Sequence, residues 1–300
     1  MKLNRSEISK IVSGKILQNE PMSRHTTFRI GGKCDFYVEA KTITELKQLI
    51  KLCIKKKTPY QIIGFGSNIL VKDKGIRGIV IRLKGDLSSL NFNLQKKSAV
   101  TGGGCALQLF VKNCADNGLS GVESLVGIPG TVGGAVIMNA GTKDGYIDSL
   151  IKSVTVMNEK GEMRKMGKKS LKFSYRSSNI PPENIIISAE LLLKKSSKKN
   201  IIKNLNNLMH HRVKTQPLGF YNAGCIFKNP VDDYAARLID RTGLKGASVG
   251  GAVVSKLHAN FINNTGNATA EDVLKLIANI QKKVKEKFLK TLELEIKVVS

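Results

Sequence analysis

Apolar residues recur at helical spacing in TITELKQLIKLCIKKK (42–57), behind a threonine placed to cap the first turn. That spacing predicts a helix. The following PYQIIGFGSNILV (59–71) reads as strand, glycine-rich turn and strand. Upstream, a helix-like segment precedes Pro21. HTTFRIGGKCDFYVEA (25–40) then sets β-prone residues on either side of Gly31-Gly32, which predicts two short strands. As far as Leu83 these elements form one α+β unit. From about 85 to 193 the pattern changes. SAVTGGGCALQLFVKNCADNGLSG runs from a strand through a glycine turn into an amphipathic helix ending at Gly118. SLVGIPGTVGGAVIMNAGTKDG (124–145) is dense in glycine and small apolar residues. SVTVMNEKGEMRKM predicts a hairpin around Lys160-Gly161, and IIISAELLLKK a plain strand.

The Lys/Ser-rich KKSSKKN (194–200) reads as a connector and sets a domain boundary. Beyond it come a helix (201–214), the stretch NAGCIFKNP (222–230), a helix near 233–242, a glycine-rich strand region to 265, a helix (269–288) and a final strand. In that final LELEIKVVS, alternation puts Leu292, Leu294, Ile296 and Val298 on one face and Glu293, Glu295 and Lys297 on the other. Periodicity therefore does not separate Glu293 from Glu295.

Composition narrows the class. With 41% hydrophobic and 24% charged residues over 300 positions, the chain can bury a core and is long enough for two or three domains. Its N-terminus has no apolar run of the signal-peptide kind, and no apolar run approaches the ~18 residues of a membrane span. The expectation is a cytoplasmic protein without a membrane partner. Five scattered cysteines with no CxxC pair argue against a disulfide framework and against bound metal. A net charge of +26 would suit nucleic acid if it were concentrated and interleaved with aromatics. Here the lysines are spread and tryptophan is absent, so solvated faces are expected and no nucleic-acid partner. The positive field still favours polyanionic small ligands.

GFGSN (64–68) and GTVGG (130–134) each follow a strand-like segment, and glycines let backbone N–H groups converge on a phosphate. Neither loop fits GxxxxGK[ST], or GxGxxG opening a helix of a βαβ unit. Several such loops (64–68, 102–104, 127–134, 139–141) suit a large, extended, phosphate-bearing ligand better than a mononucleotide, with plain structural turns as the alternative.

HTTFRIGG, GFGSNIL, GGG, SLVGIPGTVGGAVIMNAG, SYRSSNI and NAGCIFKNP, in this order, resemble the UDP-N-acetylenolpyruvoylglucosamine reductase family over residues 20 to 299. The length resembles the shorter type, without the inserted substrate-capping loop. The resemblance implies an α+β fold. A vanillyl-alcohol-oxidase/PCMH-type FAD-binding region at 1–193 (subdomains about 20–84 and 85–193) would be followed by an α+β substrate-binding domain at 194–300. It implies non-covalent FAD, NADPH as hydride donor, a UDP-sugar substrate and a monomer. The family's FAD segments match Thr27, Arg29 and Gly31; Gly64, Gly66, Ser67 and Asn68; and Gly127, Pro129, Gly130, Gly133, Gly134, Asn139 and Gly141.

In the implied chemistry, a hydride passes from NADPH to FAD and then to the enolpyruvyl group. That leaves carbanion density alpha to a carboxylate, which needs charge stabilisation and a proton donor. Arg176, in SYRSSN, matches the family arginine and would hold the carboxylate through its fork of donors. The family pattern selects Glu295 over Glu293, to stabilise the intermediate with Arg176. Cys225 read alone could be core filler, a redox thiol or an acid; the resemblance makes it the proton donor. Asn229 is an implied substrate contact, with Arg212, Gln216 and Tyr175 as further candidates; Tyr175 and His258 read equally as pocket residues and as structural ones. Two departures are Leu294, where the family commonly has proline, and Ser300, where glycine is common. The competing readings are a sugar-lactone or alcohol oxidase with flavin attached to His25, and a basic protein that binds nucleic acid or another polyanion.

Overall fold

In the computed structural model, which describes residues 3–300, Thr42 accepts a hydrogen bond from Glu45 N and starts the helix Ile43–Lys55. Leu46, Leu49, Ile50 and Cys53 bury one face of it, as the spacing predicted. They pack with Phe36, Val38, Ile79 and Ile81 of a four-stranded sheet. Its order is Ile16–Pro21, Lys33–Ala40, Ile76–Leu83, Tyr60–Ile63, the last two strands running parallel. A second, antiparallel sheet has the order Met163–Gly167, Ile151–Met157, Ile185–Leu192, Ser98–Gly102, Leu90–Asn93. The helix Leu107–Asp116 packs into the core of this sheet with Phe110 and Cys114 fully buried.

The chain gathers into two compact units. One holds the residues to Gln18, Phe36–Gly64 and Gly78–His210; the other holds Asn19–Asp35, Phe65–Arg77 and His211–Ser300. A single division at 193/194 does not describe this. The reason is packing: Phe28, Ile30 and Leu70 share a buried cluster with Ala223, Ile226, Phe227 and Ile296. The end strand Lys297–Val299 pairs in parallel with Ile69–Val71. The helix Ala270–Phe288 belongs to the same unit, with a capping box between Thr269 and Asp272. Asp73 adds to that cap, accepting from Ala270 N at 2.9 Å and Glu271 N at 3.1 Å. A three-stranded antiparallel sheet, Ser248–Val249, Ala252–Val254 and Ile262–Asn264, completes it.

Several local expectations are corrected. HTTFRI is not a strand. Thr26 Oγ1 donates to Ile30 O at 2.9 Å, and Arg29 (φ 55°) and Gly31 (φ 140°) turn the chain, so only Lys33–Ala40 is extended. KKSSKKN is not a free connector. Ser197 Oγ accepts from Asn200 N, and the helix Lys198–Thr215 begins there. The chain end bends at Glu295-Ile296, so its alternation stops before Lys297–Val299. The strand Ile16–Pro21 and the short helix Val132–Ile137 were not anticipated. Among the described residues no helix is long and apolar enough to cross a membrane, and no cluster of three His, Cys, Asp or Glu could hold a metal ion.

Candidate active site

In the first unit the glycine segments lie against one another, backbone on backbone. A Cβ at Gly103 would sit 2.0 Å from Ile186 O, one at Gly104 2.5 Å from Leu83 O, and one at Gly133 2.9 Å from Gly103 O. Gly133 N donates to Gly103 O, Val132 N to Cys105 O, and Leu107 N to Gly130 O. Gly64 approaches the same place, since its Cβ would meet Thr131 Oγ1 at 2.8 Å. Thr131 caps Val132–Ile137 by accepting from Gly134 N. Gln108, which the sequence reading passed over, fixes the preceding turn: its amide accepts from Gly127 N and donates to Ile128 O at 2.7 Å. Pro129 is exposed between them. Loops 64, 102–104 and 127–134 thus pack backbone against backbone, and the N–H groups of Gly102, Gly103, Gly104, Val132 and Gly133 are bonded within the protein.

Arg176 joins this block. It lies in the turn between Phe173–Ser174 and Ser177–Ser178 at φ 54°, a conformation unfavourable for a residue with a Cβ. Its Nη1 donates to Gly141 O at 3.2 Å, and its guanidinium lies 5.2 Å from the centre of the exposed Tyr175 ring. Asn139 (φ 43°) is buried and bridges the same turn, donating to Ser174 O and accepting from Asp148 N. The structure therefore brings Asn139, Gly141, Tyr175 and Arg176 together.

The second unit holds Cys225 and Glu295. Glu295 N donates to Ile226 O at 2.8 Å and Lys228 N to Glu293 O at 2.8 Å, with a bridge between Phe227 and Leu294. The segment after the cysteine and the segment before the chain end are thus paired backbones. Glu293 and Glu295 differ in setting: the Glu293 side chain is 75% exposed and faces Lys228, whereas Glu295 is half-buried. Asn68, expected at the cofactor, donates from Nδ2 to Glu295 O at 3.1 Å and accepts from Lys297 N. Cys225 is half-buried, while Cys34, Cys53, Cys105 and Cys114 are buried. Burial pushes the Cys34 thiol up to about 11 and Cys53 up to about 12. These four behave as small core residues.

Thr27 Oγ1 donates to Asn222 O at 2.7 Å, and Thr27 N to Gly66 O, so the HTTFRIGG loop is tied to both GFGSN and the cysteine segment. A Cβ at Gly66 would meet His25 O at 2.3 Å, and one at Gly31 would meet Val71 Cβ at 2.8 Å. Ser67 is half-buried in the same loop. The exposed Arg29 sits 5.6 Å from the Tyr221 ring centre. His25 Nε2 lies 3.0 Å from Glu20 Oε1. Arg212 Nη2 donates to Gln216 Oε1 at 2.9 Å, so these two expected substrate residues contact each other at a helix end. Asn229 is exposed, and its Oδ1 accepts from Ala235 N. His258 is half-buried, edge-on to Phe261 at 4.8 Å, and burial holds its imidazole below the usual range. Asn260, which the sequence did not single out, grips the main chain of Phe227. No local pattern marks it, because its burial and its partner Phe227 are set by the fold.

Residues 34–167 match the model of an FAD binding domain, and residues 216–299 match that of the UDP-N-acetylenolpyruvoylglucosamine reductase C-terminal domain. The chain is 40% identical to the UDP-N-acetylenolpyruvoylglucosamine reductase of Desulfosudis oleivorans, over 98% of both chains. It is 41% identical to that of Lachnoclostridium phytofermentans, over 98% of this chain and 96% of the relative. The crystal structure of the reductase from Thermus caldophilus superposes with a TM-score of 0.82 at 38% identity, covering 96% of this chain and 99% of that one. With this identity over nearly its whole length and an α+β architecture that includes an FAD-binding domain, the chain is an oxidoreductase that belongs to the UDP-N-acetylenolpyruvoylglucosamine reductase family.

Proposed function

We propose that this chain reduces UDP-N-acetylenolpyruvoylglucosamine to UDP-N-acetylmuramate, a peptidoglycan precursor, taking the hydride from NADPH. Bound FAD supplies the capacity to accept a hydride and pass it on. The match of residues 34–167 to an FAD binding domain supports this, and the closely packed glycine loops of Gly64, Gly103 and Gly133 lie within that span. Asn139 and Gly141 hold the adjoining turn.

The protein's own residues then divide the second step. The Arg176 guanidinium binds the substrate carboxylate and opposes the charge that grows on it when hydride reaches the methylene carbon. The Cys225 Sγ–H gives its proton to the alpha carbon, and the thiolate left behind regains a proton from solvent. A thiol, with an ordinary pKa of ~8.5, still carries its proton at neutral pH and is a stronger acid than an alcohol. Glu295 works with Arg176 to stabilise the intermediate. Tyr175, Arg212, Gln216 and Asn229 contribute contacts to the UDP-sugar. The observation that carries this reading is the backbone pairing of 226–228 with 293–295, which sets the stretch holding Cys225 beside Glu295.

The test is flavin absorbance in two mixing steps. NADPH should bleach the flavin, and the enolpyruvyl UDP-sugar should then restore its colour. A flavin that NADPH reduces and this substrate fails to reoxidise would overturn the assignment.

A further inference from the structure

Cys225 can protonate carbon only if its Sγ is held within hydrogen-bond reach of the alpha carbon, and a cysteine side chain has one torsion with which to aim. Everything else depends on the main chain that carries it. Both peptide groups after Cys225 are engaged. Ile226 N donates to Asn260 O at 2.9 Å, while Ile226 O accepts from Glu295 N at 2.8 Å. Phe227 N donates to Asn260 Oδ1 at 2.9 Å, and Phe227 O accepts from Asn260 Nδ2 at 2.7 Å. One side chain thus satisfies both main-chain groups of a residue that is 1% exposed, and it is itself 2% exposed.

The loop that carries Asn260 is fixed in turn. Ser255 N donates to Phe261 O and Phe261 N to His258 O, while Ser255 Oγ accepts from Leu257 N and His258 N. The His258 ring packs edge-on against Phe261. A turn with this much internal bonding does not need the cysteine segment for its shape, so it can act as a template for that segment.

We infer that Asn260 is a positioning residue for the protonation step, clamping Phe227 so that Cys225 presents its thiol at a fixed place beside Glu295. This rests on Cys225 being the proton donor. Displacements of about 1 Å in such a group cost up to about a hundredfold in rate. Loss of the clamp should therefore slow protonation and leave hydride uptake from NADPH untouched.

The experiment follows the two half-reactions in FAD-loaded Asn260→Ala, Asn260→Asp, Cys225→Ala and wild-type protein. Alkylation of Cys225 by iodoacetamide, read by mass spectrometry, is followed alongside. For Asn260→Ala we expect flavin reduction by NADPH within about twofold of wild type. Reoxidation by the enolpyruvyl UDP-sugar should be at least about tenfold slower, with a larger solvent deuterium effect. Alkylation should be faster, because the segment is released. Asn260→Asp keeps the acceptor for Phe227 N and loses the donor to Phe227 O, so it should fall between the two. It also serves if the alanine variant does not fold. The inference fails if both half-reactions drop together, which is general damage, or if both Asn260 variants reoxidise at the wild-type rate while Cys225→Ala is slow. A Cys225→Ala variant that reoxidises at the wild-type rate overturns the proton-donor reading instead, whatever Asn260 does.

Discussion

Cys225 is the one cysteine with solvent access among five, and it follows an asparagine-glycine turn: Asn222 Oδ1 accepts from Gly224 N, and Gly224 sits at φ 77°. Its role predicts that Cys225→Ala leaves flavin reduction by NADPH intact and slows flavin reoxidation at least tenfold, within the range of about 10²–10⁴ for general acids. Cys225→Ser should retain substantial activity, since a donor remains. Stopped-flow traces at the flavin band check both. Glu293 and Glu295 give a paired test. Glu293→Gln removes a carboxylate that only meets Lys228 at the surface, and turnover should stay within about twofold. Glu295→Gln should impair reoxidation. Glu295 and Glu293 are indistinguishable by alternation; the structure separates them by the bend at Glu295-Ile296 and by burial, Glu293 being exposed and Glu295 half-buried. Asn68, in GFGSN, reaches the main chain of Glu295 with its amide, a contact that no local pattern announces.

At the level of elements, signals confined to a few residues were readable. The caps at Thr42 and Thr269, the helices they start and the hairpin turning at Gly161 (φ 76°) all follow from local chemistry. HTTFRI misled because β-propensity reflects packing on a sheet, and here Thr26 and Thr27 spend their hydroxyls on other backbone groups. The helix Ala270–Phe288 carries a contribution no local pattern announces, the carboxylate of Asp73 on its first two N–H groups. Asp73→Ala should lower stability by about 1 kcal/mol, seen as a fall of a few degrees in the thermal midpoint. Glycines can be sorted in the same way. Gly103→Ala would drive a Cβ to 2.0 Å from Ile186 O and force the strand Ile185–Leu192 away, so flavin content per protein should collapse. Gly134→Ala meets Thr131 Oγ1 at 3.6 Å, an ordinary contact, and should fold with a thermal midpoint close to wild type.

For the whole molecule, buried titratable groups set the pH range of stability. His258 is held low by burial, with Lys245 adding to it, so the unfolded chain takes up its proton first as acid is added. Its contribution is complete above the ordinary value of 6.5 and is lost as pH falls from there through the lowered one. The thiols of Cys34 and Cys53 are raised from 9.0 to about 11 and about 12. Their contribution is complete below about 9 and is lost as pH climbs through the raised values. Thermal midpoints should therefore form a plateau from about pH 6.5 to 9 and fall on both sides. His258→Asn should flatten the shoulder just below pH 6.5. A charge of +26 grows on acidification, so added salt should recover part of the acid-side loss by screening repulsion.

The sequence by itself determined the α+β class, the capped helices, the glycine loops and the residue types available for chemistry, because each depends on spacing or conformational preference within a short window. It also carried the family, through motifs whose order survives. Tertiary structure alone decided that 19–35 and 65–77 pack with the C-terminal segment, that the chain end pairs in parallel with Ile69–Val71, and that Asn260 and Glu295 hold the main chain beside Cys225. Those are bonds between residues dozens to hundreds of positions apart. Buried N–H and C=O groups must find partners, and which partner is nearest is fixed only when the chain has closed on itself.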